Sequence, residues 1–236
     1  MKKYLFFTLI FCLIFFTACA SKQTYEDEND VAYYAEGEEG AEDLSEIFVS
    51  PEITDDSLGN FNPIKIDSKV ALVKSMDKLT PKQLDNNYLN PRNNTIELTF
   101  RYGVNITTII LDKKERTKIK EAAELFLSQY EAKELKRQKP KKNNAYFNSK
   151  CPFYWGVLSD SNTAPANDYF ANYEIINKRA YFLLHFVPSR TKKADVFTPK
   201  TVLYFSPSQL KDFLDLVDQD YLNAQVQNLR DKAYTY

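Results

Sequence analysis

Between Thr95 and Leu111 the chain alternates with a period of two. Ile96, Leu98, Phe100 and Tyr102 fall on one face, Glu97, Thr99 and Arg101 on the other, and after Gly103 the stretch from Ile106 to Leu111 returns. A strand puts successive side chains on opposite faces, so this pattern predicts an antiparallel hairpin with one face buried. A buried face needs a cover, and the next residues supply one. Asp112 with Glu115 three positions later forms a capping-box pattern, and Ile119, Ala122, Ala123, Phe126, Leu127 and Tyr130 recur at helical spacing behind it. The spacing predicts one long amphipathic helix over residues 113–137.

The second half repeats the order. Phe153 to Leu158 reads as a strand, Tyr169 to Ile176 and Ala180 to Val187 as a hairpin around Asn177-Lys178, and Thr201 to Phe205 as another strand. Ser206, Pro207 and Gln209 then spell a helix start, with Leu210, Phe213, Leu214, Val217 and Tyr221 as its apolar stripe. Upstream, Ile64, Ile66, Val70, Leu72 and Val73 suggest one or two short strands, and Thr80-Pro81-Lys82-Gln83 resembles the later helix start. That likeness reads as convergent capping chemistry as readily as duplication. With 16 Tyr and 17 Phe favouring strands, the fold class expected is α+β: antiparallel sheet covered by two long amphipathic helices, in possible strands-then-helix units. The β-β-β-β-α order of the second half faintly resembles the PUR-type and whirly folds that bind single-stranded nucleic acid, although no motif is shared.

The N-terminus carries a different message. Lys2 and Lys3 precede the 13-residue apolar run Tyr4 to Phe16, which closes on Phe16-Thr17-Ala18-Cys19. The run is shorter than the ~20 residues a membrane-spanning helix needs, and its layout is that of an export signal. Residues 1–21 resemble the type II signal peptide of bacterial lipoproteins, with Phe16 standing where Leu is usual. That resemblance implies cleavage between Ala18 and Cys19, a diacylglycerol thioether on Cys19 and acylation of the new amino group. It also implies, through Ala20, sorting to the outer membrane. Read from the residues alone, an ordinary secretory signal and an uncleaved helix stay open. The expected organisation is a signal peptide over 1–18, a lipidated and acidic tether over 19–46, and one globular domain over 47–236. In overall build the chain resembles spirochaete-like lipoproteins of unknown function.

Charge is unevenly placed. Ten acidic and no basic residues lie between Glu26 and Glu46, whereas from Ser57 onward 28 Lys and Arg face 19 Asp and Glu. The acidic stretch has too little apolar area to fold alone; as a flexible coil, residues 20–46 reach about 30 Å. The basic body suits an anionic partner such as lipid headgroups or a glycan, or simply solubility. The expected partners are the bilayer, through acylated Cys19, and an envelope protein, glycan or anionic lipid; export argues against nucleic acid.

The inventory is poor in catalytic chemistry. Cys12 leaves with the signal and Cys19 is consumed by the lipid, so Cys151 has no partner for a disulfide and reads as a small buried hydrophobe. The sole histidine, His185, sits within a strand among apolar neighbours, where it reads as a partly buried sheet residue rather than a base. One His and one Cys do not make a zinc site, no Gly-flanked serine or phosphate loop is present, and no cofactor is expected. The least poor carboxylate pair for a glycan- or lipid-acting hydrolase is Asp160 with Asp168, flanking an expected loop from Ser159 to Asn167. With Asn162 and Asn167 they also supply oxygens for calcium, without EF-hand order. Candidate binding residues are the aromatics Trp155, Tyr154 and Tyr169, and the cations Lys136, Arg137, Lys139, Lys141 and Lys142 at the end of the expected helix. The function expected is a non-catalytic binding or structural module at the membrane surface, with a hydrolase and a surface-exposed adhesin as alternatives.

Overall fold

The computed structural model divides the chain into two units, Met1–Phe48 and Val49–Tyr236. The structure describes residues 56–75, 78–157, 160–190 and 197–233, all within the second unit. The signal, the lipobox with Ala18 and Cys19, and the acidic tether lie outside the described residues.

Ten strands form one antiparallel sheet. They are β1 (Ile64–Ile66), β2 (Lys69–Ser75), β3 (Lys78–Leu84), β4 (Asn86–Asn90), β5 (Thr95–Tyr102), β6 (Asn105–Leu111), β7 (Phe147–Val157), β8 (Asp160–Ile176), β9 (Arg179–Phe186) and β10 (Thr201–Phe205). Among the described residues three α-helices accompany them: α1 (Lys113–Glu131), α2 (Pro207–Val217) and α3 (Gln219–Ala233). Strands β5 to β10 pair in sequence order. The first four strands are one bent hairpin. Ile66 faces Asn87 and Lys69 faces Leu84, so a single register runs through both halves. Near its base the hairpin pairs with β5 through β4; near its tip it pairs with β10 through β2. Both ends of the six-strand run are therefore joined to the same hairpin. At the bend the fully buried Asn87 donates from Nδ2 to the carbonyls of Asp67 and Leu84, each at 2.9 Å. These bonds satisfy backbone oxygens where the ladder is interrupted.

The expectation of two strands-then-helix units under two long helices is overturned. Among the described residues a single ten-stranded sheet dominates, and the α-helices are three and short. Each difference has a local cause. The helix after the first hairpin stops at Glu131, because Lys133 takes a left-handed φ of 57° and the basic residues beyond it are held on the sheet. The second helix breaks at Asp218, whose extended backbone ends α2 and whose Oδ1 accepts from the N–H groups of Asp220 and Tyr221 to start α3. Thr80-Pro81-Lys82-Gln83 lies in strand β3, not in a helix. This strand lies at the end of the strand order, where a proline costs no ladder bond. The segment expected as a loop around Asn162 and Asn167 is the first half of the 17-residue β8. Its Pro165 faces a register shift beside Pro152, so both prolines sit where the ladder lapses.

Several features follow the residue pattern. Gly103 turns the first hairpin at φ 61°, and Asn177 and Lys178 turn β8 into β9 at φ 50° and 66°. Asp112 caps α1 by accepting from the Glu115 N–H at 2.8 Å; Ser206 and Gln209 close a full capping box on α2. The inner face of the sheet and the helices share one core. Ile96, Leu98 and Phe100 meet Phe126 of α1, Phe182, Leu184 and Phe186 of β9, and Phe213 of α2 there. Cys151 is buried in it and its thiol is pushed up by that burial.

A candidate binding cavity on the outer face of the sheet

Strand β9 shows how the site arises. Its even-numbered residues Phe182, Leu184 and Phe186 enter the core, which turns Tyr181, Leu183 and His185 to the outer face. Cross-strand pairing then builds rows. His185 lies between Phe170 of β8 and Val202 of β10, and Leu183 lies between Asn172 and Tyr204. Phe170, Leu183, Val202 and Tyr204 form a second, smaller apolar cluster there. The His185 and Phe170 rings are 4.7 Å apart.

Above this floor is a cavity of about 470 Å³, walled by Lys74, Glu174, Lys200, Tyr102 and Pro140 as well. Lys74 Nζ meets Glu174 Oε1 at 3.3 Å, and the Tyr204 hydroxyl donates to Glu174 Oε2 at 2.9 Å. The carboxylate is thus fully engaged. Tyr102 reaches over from the end of β5, its hydroxyl accepting from the Val202 N–H at 3.4 Å. Burial pushes the His185 imidazole down to about 4, with the Lys200 charge adding to the shift, so the ring is neutral at physiological pH. Burial also pushes the Tyr204 hydroxyl up, and the Glu174 charge adds to it.

The wall at Pro140 depends on a strap, residues 132–146, between α1 and β7. Asn172 is fully buried and pins it. Asn172 Oδ1 accepts from Gln138 Nε2 at 2.9 Å, and Nδ2 donates to the Lys141 and Asn144 carbonyls, each at 3.2 Å. Tyr173 OH donates to the Lys136 carbonyl at 3.0 Å. The backbone is held while the side chains of Lys136, Arg137, Lys139, Lys141 and Lys142 stand exposed. The sequence places these five cations at a helix end; they ride instead on the strap, of which Pro140 lines the cavity. Lys142 pairs with Asp168 at 2.7 Å, and Lys150 approaches the same carboxylate at 3.6 Å. The hydrogen bond from Lys142 holds the Asp168 carboxyl below its usual range.

The aromatic candidates separate. Trp155 is buried against Phe153, with ring centroids 5.9 Å apart, and Tyr169 is fully buried and stacked on Phe186 at 5.3 Å. Neither offers a surface, because both enter the main core. Tyr154 alone of the three is exposed. The Tyr169 hydroxyl donates to Glu115 Oε2 at 2.5 Å, and Ser149 and Lys118 reach Oε1 at 2.8 Å each. Burial pushes the Glu115 carboxyl up, yet these bonds outweigh it and leave it below its usual range. Asp160 and Asp168 lie eight residues apart along one strand, a backbone separation of about 26 Å at 3.3 Å per residue, against the ~5–10 Å between the carboxyls of a glycosidase pair.

Two features lay beyond the reach of the sequence. Lys74, Tyr102, Glu174 and Lys200 come from distant segments with no shared spacing. Arg116, 1% exposed, is the other; its Nη2 donates to the Asn94 carbonyl, to Asn94 Oδ1 and to Gln219 Oε1 at 2.7–3.0 Å, tying the 91–94 turn to α1 and α3. Burial lowers this guanidinium to about 10 against the pull of Asp112, Asp56 and Asp218.

A protein-family model described as an uncharacterised Treponema protein matches residues 44–224. The chain belongs to that family. It is also 29% identical over 150 residues to an uncharacterized protein of Treponema pallidum (strain Nichols), across 62% of this chain and 53% of the relative. The chain spans about half the length of this curated relative. No solved structure matches it. Every residue lining the cavity lies within the part that the family model matches. A second hollow of about 440 Å³, along α3, extends past that part to Val226, Gln227 and Arg230.

Proposed function

We propose that this protein is a lipid-anchored lipoprotein of the cell envelope whose body is a non-catalytic binding module. Cys19 carries the lipid after removal of residues 1–18, residues 19–46 are the acidic tether, and the outer membrane is the site of anchorage. One acyl chain holds a protein only marginally, each buried methylene being worth about 0.8 kcal/mol, whereas two or three chains on one residue hold it stably. The observation that carries the binding role is the outer-face cavity: side chains from five strands and the strap converge on it, and His185 and Lys200 reach it without a hydrogen bond or ion pair among the described residues. Its one carboxylate among the described residues is engaged by Lys74 and Tyr204, which suits recognition rather than proton transfer.

Anchoring is tested by mass spectrometry of the N-terminal peptide from membrane-extracted protein, in wild type and Cys19→Ala. The expected result is a peptide beginning at an acylated Cys19, lost in the variant together with membrane retention. An unmodified N-terminus on a protein that leaves the membrane fraction overturns the reading.

A further inference from the structure

The cavity's chemistry narrows what it accepts. Two lysines, Lys74 and Lys200, face one carboxylate, Glu174, so the lining holds one positive charge in surplus. That surplus sits at the mouth. Lys74 is neutralised by Glu174, whereas Lys200 is exposed and has no acidic partner among the described residues. On the strap side the cavity is walled by Pro140, which adds no charge. Facing this charge are donors that bind an oxyanion without adding charge. The Tyr102 hydroxyl spends its oxygen on the Val202 N–H, which leaves its own proton to give. The neutral His185 ring carries one N–H. The floor beneath is apolar, made of Leu183 and Val202 with Phe170 behind His185.

From this arrangement we infer that the cavity binds a small amphiphile bearing one oxyanion, its head between Lys200 and the Tyr102 hydroxyl and its apolar body on Leu183 and Val202. A monoanion cancels the one-charge surplus. A dianion leaves excess negative charge beside Glu174, and a cation meets Lys200. The volume, about 470 Å³, falls in the usual range for small-molecule sites. Such a head is found on a free carboxylic acid and on the phosphodiester of an anionic lipid; the cavity reads the shared chemistry. This inference rests on the binding role proposed above and adds the ligand class to it.

His185 is the sole histidine of the chain, so its ring carbon gives a single resonance at the floor of the site. The test uses the full-length chain labelled with [13Cε1]histidine in nanodiscs of zwitterionic lipid, titrated with hexanoate, 1-hexanol and hexylamine. These probes share a six-carbon body and differ in head charge. Hexanoate is expected to shift the resonance saturably, the other two at least tenfold more weakly, and Lys200→Glu to abolish the hexanoate response while leaving the melting temperature unchanged. Lys200 is exposed, so this variant folds. A second arm replaces part of the lipid with phosphatidylglycerol and adds no hexanoate. A shift there assigns the ligand to membrane headgroups; a shift with hexanoate alone assigns it to a free acid. No response in either arm, equal responses to all three probes, or a hexanoate response retained in Lys200→Glu overturns the inference. The titration reads the cavity whether or not Cys19 is acylated, so failure of binding and failure of anchoring are separate results.

Discussion

The two faces of strand β9 are made from alternate residues of one eight-residue stretch, and they behave as different solvents. Inward, Phe182 has no exposed surface and packs on Phe126 at 5.7 Å and Tyr146 at 6.2 Å, within a core shared by the strands and all three helices. Outward, His185 and Tyr181 are partly exposed over a cluster of four buried residues. The inner face is apolar throughout this stretch, while the outer face carries an imidazole, two tyrosine hydroxyls, an ion pair and a lysine without an acidic partner among the described residues, in one cavity. Alternation by two therefore divides the strand: the even positions enter the main core and the odd positions face the outer cluster and its cavity.

The sharpest way to break this comparison is to truncate one residue on each face. Phe182→Ala is expected to destabilise by about 3–5 kcal/mol, through lost burial and the cavity left behind. For a chain of this size that lowers the melting temperature by about 6–20 °C. His185→Ala, three positions on, is expected to cost about 1 kcal/mol or less. Equal losses in thermal melts would mean that both faces are core. A smaller effect is expected at the strap. Asn172→Ala removes the amide that holds the Gln138 side chain and the Lys141 and Asn144 carbonyls, at about 1–3 kcal/mol. Because those carbonyls can turn to water, the loss falls on the strap more than on the whole fold. Trypsin cleavage after Arg137, Lys141 and Lys142 should then accelerate about tenfold, since proteolysis follows the population of the open form. Unchanged cleavage alongside a lowered melting temperature would make Asn172 an ordinary core residue.

How far the residues alone announced this architecture depends on whether the partner of each was local. The hairpin at Gly103, the turn at Asn177-Lys178 and the box from Ser206 to Gln209 are set by contacts a few residues apart, and the chain shows them openly, while the strand Thr201–Phe205 shows through its apolar run. The single sheet was hidden because its closure joins β2 to β10, a pairing of distant segments that leaves no periodic trace. Pro81, expected at a helix start, lies in a strand at the end of the strand order, and Pro152 and Pro165 sit within strands at a register shift. Of the site, the alternation around His185 and the exposed cations from Lys136 to Lys142 were legible. Their meeting at Pro140 was not, since Asn172 sets it from 28 to 34 residues away.

The finest test asks how wet the outer face is. Burial and then Lys200 push His185 down to about 4 from an ordinary value near 6.5, while Lys74 and Glu174 face the same cavity as a neutral pair. Between these two values the unfolded chain binds the proton and the folded chain does not. The contribution of a neutral His185 is therefore complete above pH 6.5 and is lost as the pH falls towards 4. With the ring partly exposed, water screens the effect to about 1 kcal/mol or less. The measurement is the difference in unfolding free energy between wild type and His185→Gln from pH 7.5 to 4.5, which cancels the carboxylates that both proteins share, Asp168 and Asp218 among them. The His185 ring itself should titrate well below 6.5, and its midpoint should rise in Lys200→Glu, where a repelling charge becomes an attracting one. A bound oxyanion should raise it too, because an anion beside the ring favours the imidazolium. A midpoint at 6.5, indifferent to Lys200, would make the outer face ordinary surface; a depressed midpoint that hexanoate lifts would tie the desolvation of His185 to the site that binds.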